Sequence, residues 1–341
     1  MTTYKGLRGL TIRTVAGDPS VLAVGDIWYD SVAKKVQGAA TTAGTWATGG
    51  DLPGNTTGHS GFGSQTAGVI VGGEVGGSDN AEAFHYNGSS WAAGGNINTQ
   101  RGGGHQRGYG TQTAGAIVGG HHPGIPTGVS ASHETYDGSS WSEAGDLNTG
   151  RGYHATANNG TTTAALAFSG LINPELNPSP FGAVGFKTES EEYNGTAWTE
   201  GNDLSVGRQY ISGAGIQTAA LGIGGESPSF VNSTESYNGT SWTEVNNLNT
   251  ARSRIMAGGT DATAIAAGGL TPSVTANVEQ WDGTSWTEVA NISAARGTGA
   301  SGITAGATDG FIAGGTPSPG TGNDTEEWTG PAAAAVTFTS S

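Results

Sequence analysis

Cysteine is absent from this 341-residue chain. That removes disulfide bonds, thiolate metal sites and a cysteine nucleophile from consideration. Positive charge is scarce: 13 Lys plus Arg stand against 28 Asp plus Glu, a formal charge of −15. A nucleic-acid-binding surface needs the opposite sign, so nucleic acid is not an expected partner. Charged residues of both signs make up only 12%, about half the usual share. That is too few for a coiled coil or a long helical bundle. No apolar run approaches the ~20 residues of a membrane helix, so membrane insertion is not expected. The opening Met1-Thr-Thr-Tyr-Lys-Gly6 has no apolar core segment and does not read as a secretory signal.

Glycine, by contrast, is in large excess, at 62 residues. There is no Gly at every third position, which excludes collagen. The excess follows an internal repeat instead. Tyr86-Asn-Gly-Ser-Ser-Trp91, Tyr136-Asp-Gly-Ser-Ser-Trp141, Tyr193-Asn-Gly-Thr-Ala-Trp198, Tyr237-Asn-Gly-Thr-Ser-Trp242 and Trp281-Asp-Gly-Thr-Ser-Trp286 share one pattern. Before each lies an apolar run ending in paired glycines, as in Ala67-Gly-Val-Ile-Val-Gly-Gly73 and Ala114-Gly-Ala-Ile-Val-Gly-Gly120. In the third copy Ser169 replaces the first Gly. After each Trp come a polar stretch, a Leu or Ile, and an arginine: Arg101, Arg151, Arg208, Arg252 and Arg296. The first copy has no arginine there, with His59 near that place. Two residues before the aromatic stand Glu134, Glu191, Glu235, Glu279 and Glu326.

Short apolar runs bounded by Gly read as buried strands. Asn-Gly or Asp-Gly between an aromatic and a Trp reads as a tight hairpin, with a type I′ turn expected. One repeat is therefore about four short antiparallel strands, and small residues on the inner strands suit sheets converging on a central axis. Radial repetition of such sheets is an all-β propeller. Gly-Gly runs number six, and so do the hairpin tryptophans when Trp46 is counted. The expectation is six blades, closed by N- and C-terminal strands with Trp46 beside Trp328. The alternative is seven, with a further blade from residues 4–46 built around Tyr29 and residues 336–339 finishing the sixth.

The paired Gly, the aromatic before Asn-Gly and the Trp after it resemble kelch repeats, whose period is ~50 residues. The resemblance covers residues 46–330 and implies a kelch-like β-propeller. Gly25-Asp-Ile-Trp-Tyr-Asp30, with Lys34-Lys-Val beyond, is similar to a short hairpin element of bacteriophage tail and fibre proteins. Together with the Glu326-Glu-Trp-Thr-Gly-Pro331 ending, it looks like virion proteins of marine phages. Residues 1–45 then form an N-terminal hairpin or attachment segment, and residues 331–341 a C-terminal tail or closing strand. The resemblance implies a non-enzymatic virion protein, assembled in the host cytoplasm. It would be an appendage or adaptor on tail or capsid, with other virion proteins as partners through residues 1–45 and the long loops. A glycan- or host-receptor-binding module is the alternative, and a polysaccharide-acting enzyme the third reading. Kelch-fold copper oxidases rely on a thiol-linked Tyr, which this chain cannot form.

The recurring Arg and Glu read as one structural network per repeat, because what each blade needs recurs with the blade. Trp46, Trp91, Trp141, Trp198, Trp242 and Trp286 read likewise as packing residues. His105, His121, His122, His133 and His154 crowd the second and third repeats without a metal-ligand spacing, so they read as loop and inner-strand residues. No catalytic residue, metal site or cofactor is expected. The loop after the Gly-Gly strand is longest in the third repeat, over residues 171–190, and carries Phe181 and Phe186. The second repeat contributes His121 and His122. These four are the candidate binding residues, since insertions on one face of a repeat protein often bind.

Overall fold

The structure, a computed structural model, describes residues 13–23, 25–75, 78–102, 108–122, 128–172, 186–304, 306–317 and 322–338. Among these, every regular element is a β-strand. The chain divides into two compact units: Trp46–Thr329, and Met1–Thr45 with Gly330–Ser341.

The larger unit is β-propeller-like. Each repeat from the second to the fifth folds as one four-stranded antiparallel sheet of sequential strands. In the fourth these are Ser212–Ile216, Ala219–Ile223, Thr234–Tyr237 and Trp242–Val245. The first repeat gives the same order, with Ser60–Ser64 innermost and Trp91–Ala93 outermost. The sixth supplies Ala300–Ile303, Asp309–Ala313 and Thr325–Thr329, and its fourth strand is Thr45–Thr48 from the other end of the repeat region. Trp46 packs there against Trp328, ring centroids 5.2 Å apart.

The first strands approach one another closely because Gly, Ala and Ser predominate in them. A Cβ on Gly61 would sit 2.8 Å from the backbone of Ser301 in the sixth repeat, so only glycine fits. Thr156 Oγ1 donates to Gly108 O, Ser212 Oγ to Ile255 O, and Ser301 Oγ to Ala257 O, stitching successive first strands together. Behind them, apolar clusters fill the space between neighbouring sheets. One contains Phe62, Ile117, Tyr136 and Trp141, between the first and second repeats. Another contains Ile70, Trp91, Ala300 and Phe311, between the first and the sixth.

The hairpin loops differ from the expected type I′ turn. Tyr86 pairs with Trp91, so four residues turn the chain. Only the glycine has positive φ, 88° at Gly88. Asn87 Oδ1 accepts from the amides of Ser89 and Ser90, and Asp137, Asn194, Asn238 and Asp282 do the same in their copies. The Asn/Asp is therefore a side-chain turn former of the Asx kind. Its carboxylate form is favoured: the Ser140 and Ser139 amides, with Ser139 Oγ, hold Asp137 down to about 2.

The smaller unit is a mixed sheet. Arg13–Val15 pairs parallel with Ile27–Asp30, which pairs antiparallel with Lys35–Thr41. Lys35–Thr41 then pairs with Ala333–Thr337. Residues 331–341 were expected as a tail or closing strand, and residues 336–339 in the seven-blade alternative as the end of the sixth sheet. Ala333–Thr337 is a strand of this smaller sheet, with Val336 opposite Gly38, and is not a strand of the sixth repeat's sheet. Asp30, 5% exposed, ties the turn together: its carboxylate accepts from the amides of Gly17, Val32 and Ala33 and from Gln37 Nε2. These bonds, the Ala33 amide foremost, lower its pKa.

Candidate functional site

The site is built outward from the arginine column. Arg101, Arg151, Arg208, Arg252 and Arg296 are buried between sheets, each against the recurring glutamate of the following repeat. Arg208 meets Glu235 at 2.7 Å, Arg252 meets Glu279 at 3.0 Å and Arg296 meets Glu326 at 2.7 Å. Arg101 with Glu134 and Arg151 with Glu191 complete the set. Each guanidinium also donates to backbone carbonyls: for Arg208, Gly224 O at 3.0 Å and Ser233 O at 2.8 Å. The second carboxylate oxygen of each glutamate accepts an amide of the crossing segment, as Ser205 N donates to Glu235 Oε2. Desolvation lowers the Arg101, Arg208 and Arg252 pKa values despite the glutamates.

The first repeat lacks both partners. Counted from Gly58 and Tyr86, the arginine slot holds Thr56 and the glutamate slot Phe84. Losing one partner alone would leave an uncompensated buried charge. Their joint replacement fits a pair whose role is internal.

The hairpin tryptophans serve the same end. Each stacks on its cross-strand aromatic, Trp141 on Tyr136 at 4.9 Å. Several reach back to the preceding sheet: Trp91 Nε1 donates to Thr325 Oγ1, Trp198 to His133 Nδ1, and Trp286 to Thr234 Oγ1. Trp242 packs on Phe168.

Two residues beyond Arg151, Arg208, Arg252 and Arg296, and at the matching place in the first repeat, the backbone turns left-handed. Gly58 makes this turn in the first repeat with φ 66°, without strain. Later repeats place Tyr153 (55°), Tyr210 (50°), Arg254 (57°) and Thr298 (64°) there. A non-glycine residue in this conformation costs roughly 1 kcal/mol or more. These residues are linked by their backbones: Tyr210 N donates to Tyr153 O, Arg254 N to Tyr210 O, Thr298 N to Arg254 O, and Gly58 N to Thr298 O. Their side chains meet around a cavity of about 200 Å³, lined by Thr57, Gly58, Glu74, Tyr153, Tyr210, Arg254, Thr298 and Thr316. Tyr153 and Tyr210 stack at 4.5 Å, and the Arg254 guanidinium carbon lies 4.2 Å over the Tyr210 ring. Burial, then the neighbouring Tyr153, raises the Tyr210 phenol far above its usual range. Glu226, 3% exposed, accepts from Gln209 Nε2 and Ser253 Oγ beside this column.

The opposite side, at the hairpins joining first and second strands, is spanned by one loop of the third repeat. Asn158 O accepts from Gly110 N, and Asn158 Nδ2 donates to Ile303 O. Asn159 N donates to Gly215 O, and its Nδ2 to Gly259 O at 2.6 Å. Two asparagines thus bond to the second, fourth, fifth and sixth repeats. A larger groove of about 610 Å³, lined by Glu244, Val245 and Trp281 among others, lies between the fourth and fifth sheets and draws on those two repeats alone.

Of the expected binding residues, Phe181 lies outside the described residues, as does His105. Phe186 is half-buried and bridges to Leu171. His121 is half-exposed, with Nδ1 3.3 Å from Asp79 Oδ2. His122 N donates to Gly128 O. Phe186 and the histidines thus stand on loops of different repeats. His133 is enclosed by Tyr109, Tyr193 and Trp198, with burial lowering its pKa to about 4. The left-handed column is not legible by recurrence because no one residue type runs through it: its members are Gly58, Tyr153, Tyr210, Arg254 and Thr298. The available signal was its fixed offset from the arginines.

No family model matches the chain, and no curated protein matches it. A solved structure, that of YjhT, is similar with a TM-score of 0.63 at 14% identity, over 81% of this chain and 95% of that one. At that identity the likeness concerns the fold alone.

Proposed function

We propose that the chain is a non-enzymatic structural protein of a bacteriophage virion, an appendage or adaptor on tail or capsid. Its larger unit is a kelch-like propeller of six blades, closed where Thr45–Thr48 pairs with Thr325–Thr329. The smaller unit, made from both chain ends, is the attachment module.

The observation that carries this reading is where the exposed apolar side chains lie. Nine large hydrophobic residues are exposed among the described residues: Val21, Ile27, Val32, Val36, Val75, Val206, Ile216, Val336 and Phe338. All but Val75, Val206 and Ile216 belong to the smaller unit. Cross-strand register places Ile27 with Val336 and Tyr29 with Val36 on one face, and the Phe338 ring covers Gly38 on that face. The other face carries Trp28, 1% exposed, and Ala39. Contiguous apolar surface of this kind marks an interaction site. The Arg–Glu pairs and hairpin tryptophans, in contrast, are taken up within the repeats.

The test is incorporation. The tagged chain is expressed in infected host cells, and particles are separated on a density gradient. The chain should band with particles, and Val36→Asp with Phe338→Ser should move it to the free-protein fraction at unchanged thermal stability of the repeat unit. A chain that never bands with particles, or a variant that bands as well as the parent, would overturn the reading.

A further inference from the structure

Arg254 stands apart from the other arginines among the described residues of the repeat unit. Five of them hold buried glutamates, whereas Arg254 has no ion-pair partner among the described residues. Its guanidinium is fixed over the Tyr210 ring at 4.2 Å, and its Nε is buried without a hydrogen bond. It occupies a left-handed turn that Gly58 makes without strain in the first repeat. Here a costly backbone conformation carries a bulky cation held in no direct ion pair among the described residues. Strained positions of this kind cluster at binding sites.

We propose that the cavity bearing Arg254 binds a small, polar, monovalent organic acid through its carboxylate. A guanidinium with one face on an aromatic ring keeps its edge N–H groups for a bidentate carboxylate, and stacking removes the freedom that binding would otherwise cost. The site offers one positive charge. Glu74 shares its lining and Glu226 lies beside Tyr210. A monoanion pairs its one charge with Arg254, whereas a divalent anion brings a second charge that meets only those carboxylates and is disfavoured more strongly. The hydroxyl-bearing lining, with Tyr153, Thr57 and Thr298, suits a polar body, and about 200 Å³ limits it to a small molecule.

The experiment compares acetate, lactate and gluconate with inorganic phosphate, sulfate and matched sodium chloride. Binding is read by calorimetry and by the shift in melting temperature of the full chain. At least one carboxylate should bind saturably and raise the melting temperature beyond the salt control, with phosphate and sulfate at least tenfold weaker. Arg254→Gly should weaken that carboxylate tenfold or more while its own unliganded melting temperature stays equal or rises, because the strain is relieved. Arg254→Lys should fall between the two. Three results would overturn the proposal: no saturable carboxylate binding, dianions binding as tightly as carboxylates, or Arg254→Gly binding as the parent does. A melting temperature lowered several degrees by Arg254→Gly would also overturn it, since the side chain would then be serving the fold.

Discussion

Two columns of residues run side by side through the repeats, and they behave oppositely. The arginine column holds the same residue in five copies, each buried and each paired with a glutamate. Two residues on, the left-handed column holds Gly58, Tyr153, Tyr210, Arg254 and Thr298, all around one cavity. The first column answers to the contact between neighbouring sheets, which every repeat must make. The second answers to a place that exists once in the molecule. Repetition marks what the sheets require, and variation against a strained backbone marks what the cavity does.

The largest effect that could break this comparison lies in the first column. Arg252→Ala leaves Glu279 buried at 1% exposure without its cation. The expected loss is on the order of 3–5 kcal/mol, read as a lower denaturation midpoint. Arg252→Thr combined with Glu279→Phe copies the Thr56 and Phe84 of the first repeat and should lose less than the single change. A melting curve unaltered by Arg252→Ala would mean that the column is not structural.

His133 tests the converse, that variation alone does not mark function. Its slot holds Thr234 in the fourth repeat and Thr325 in the sixth, and each of the three receives a tryptophan N–H. Burial, foremost, depresses the imidazole to about 4, below the unfolded value of about 6.5. The unfolded chain therefore binds the proton first as pH falls. Stability should be flat above about pH 6.5 and decline toward pH 4, with a slope of up to about 1.4 kcal/mol per pH unit. His133→Thr should remove that slope while keeping an acceptor for Trp198. A denaturation-midpoint profile of the same shape in the variant would show that other groups carry the dependence.

Much of this was legible in the chain itself. The repeated Gly-Gly runs, the hairpin tryptophans and both charged columns stand out by recurrence. The offset by which each arginine reaches the next repeat's glutamate does not, because it depends on how sheets stack. The hairpin turn was misread from its Asn-Gly dipeptide. The pairing of Tyr86 with Trp91 requires a four-residue loop, which the asparagine side chain closes. Ala333–Thr337, alanine at three of its five positions, carries no alternation, and its partner strand Lys35–Thr41 lies almost the whole chain away. Asn158 and Asn159 occur in one repeat only, so no periodicity points to them. Arg254, two residues from Arg252, has no arginine at the matching place in another repeat, so periodicity does not point to it, and its left-handed backbone is what sets it apart.

The finest test compares two left-handed positions that both hold side chains. Ser169 has φ 62° where the first glycine of the pair stands in the other repeats. Its hydroxyl donates toward Lys187 O and Arg208 O and accepts from Arg208 N. Ser169→Ala keeps the strain and loses those bonds, for an expected cost of about 1–2 kcal/mol. Ser169→Gly loses the bonds but relieves a strain of similar size, so its midpoint should lie near the parent and above the alanine variant. At Ser169 the side chain is used by the fold, and glycine brings no gain. At Arg254 the side chain makes no hydrogen bond or ion pair among the described residues, and its stacking on the Tyr210 ring is set against the backbone strain, so glycine should be neutral or stabilising. If Ser169→Gly stabilised as much as Arg254→Gly, strain relief alone would account for both, and the left-handed backbone at the cavity would lose its force as a marker of binding.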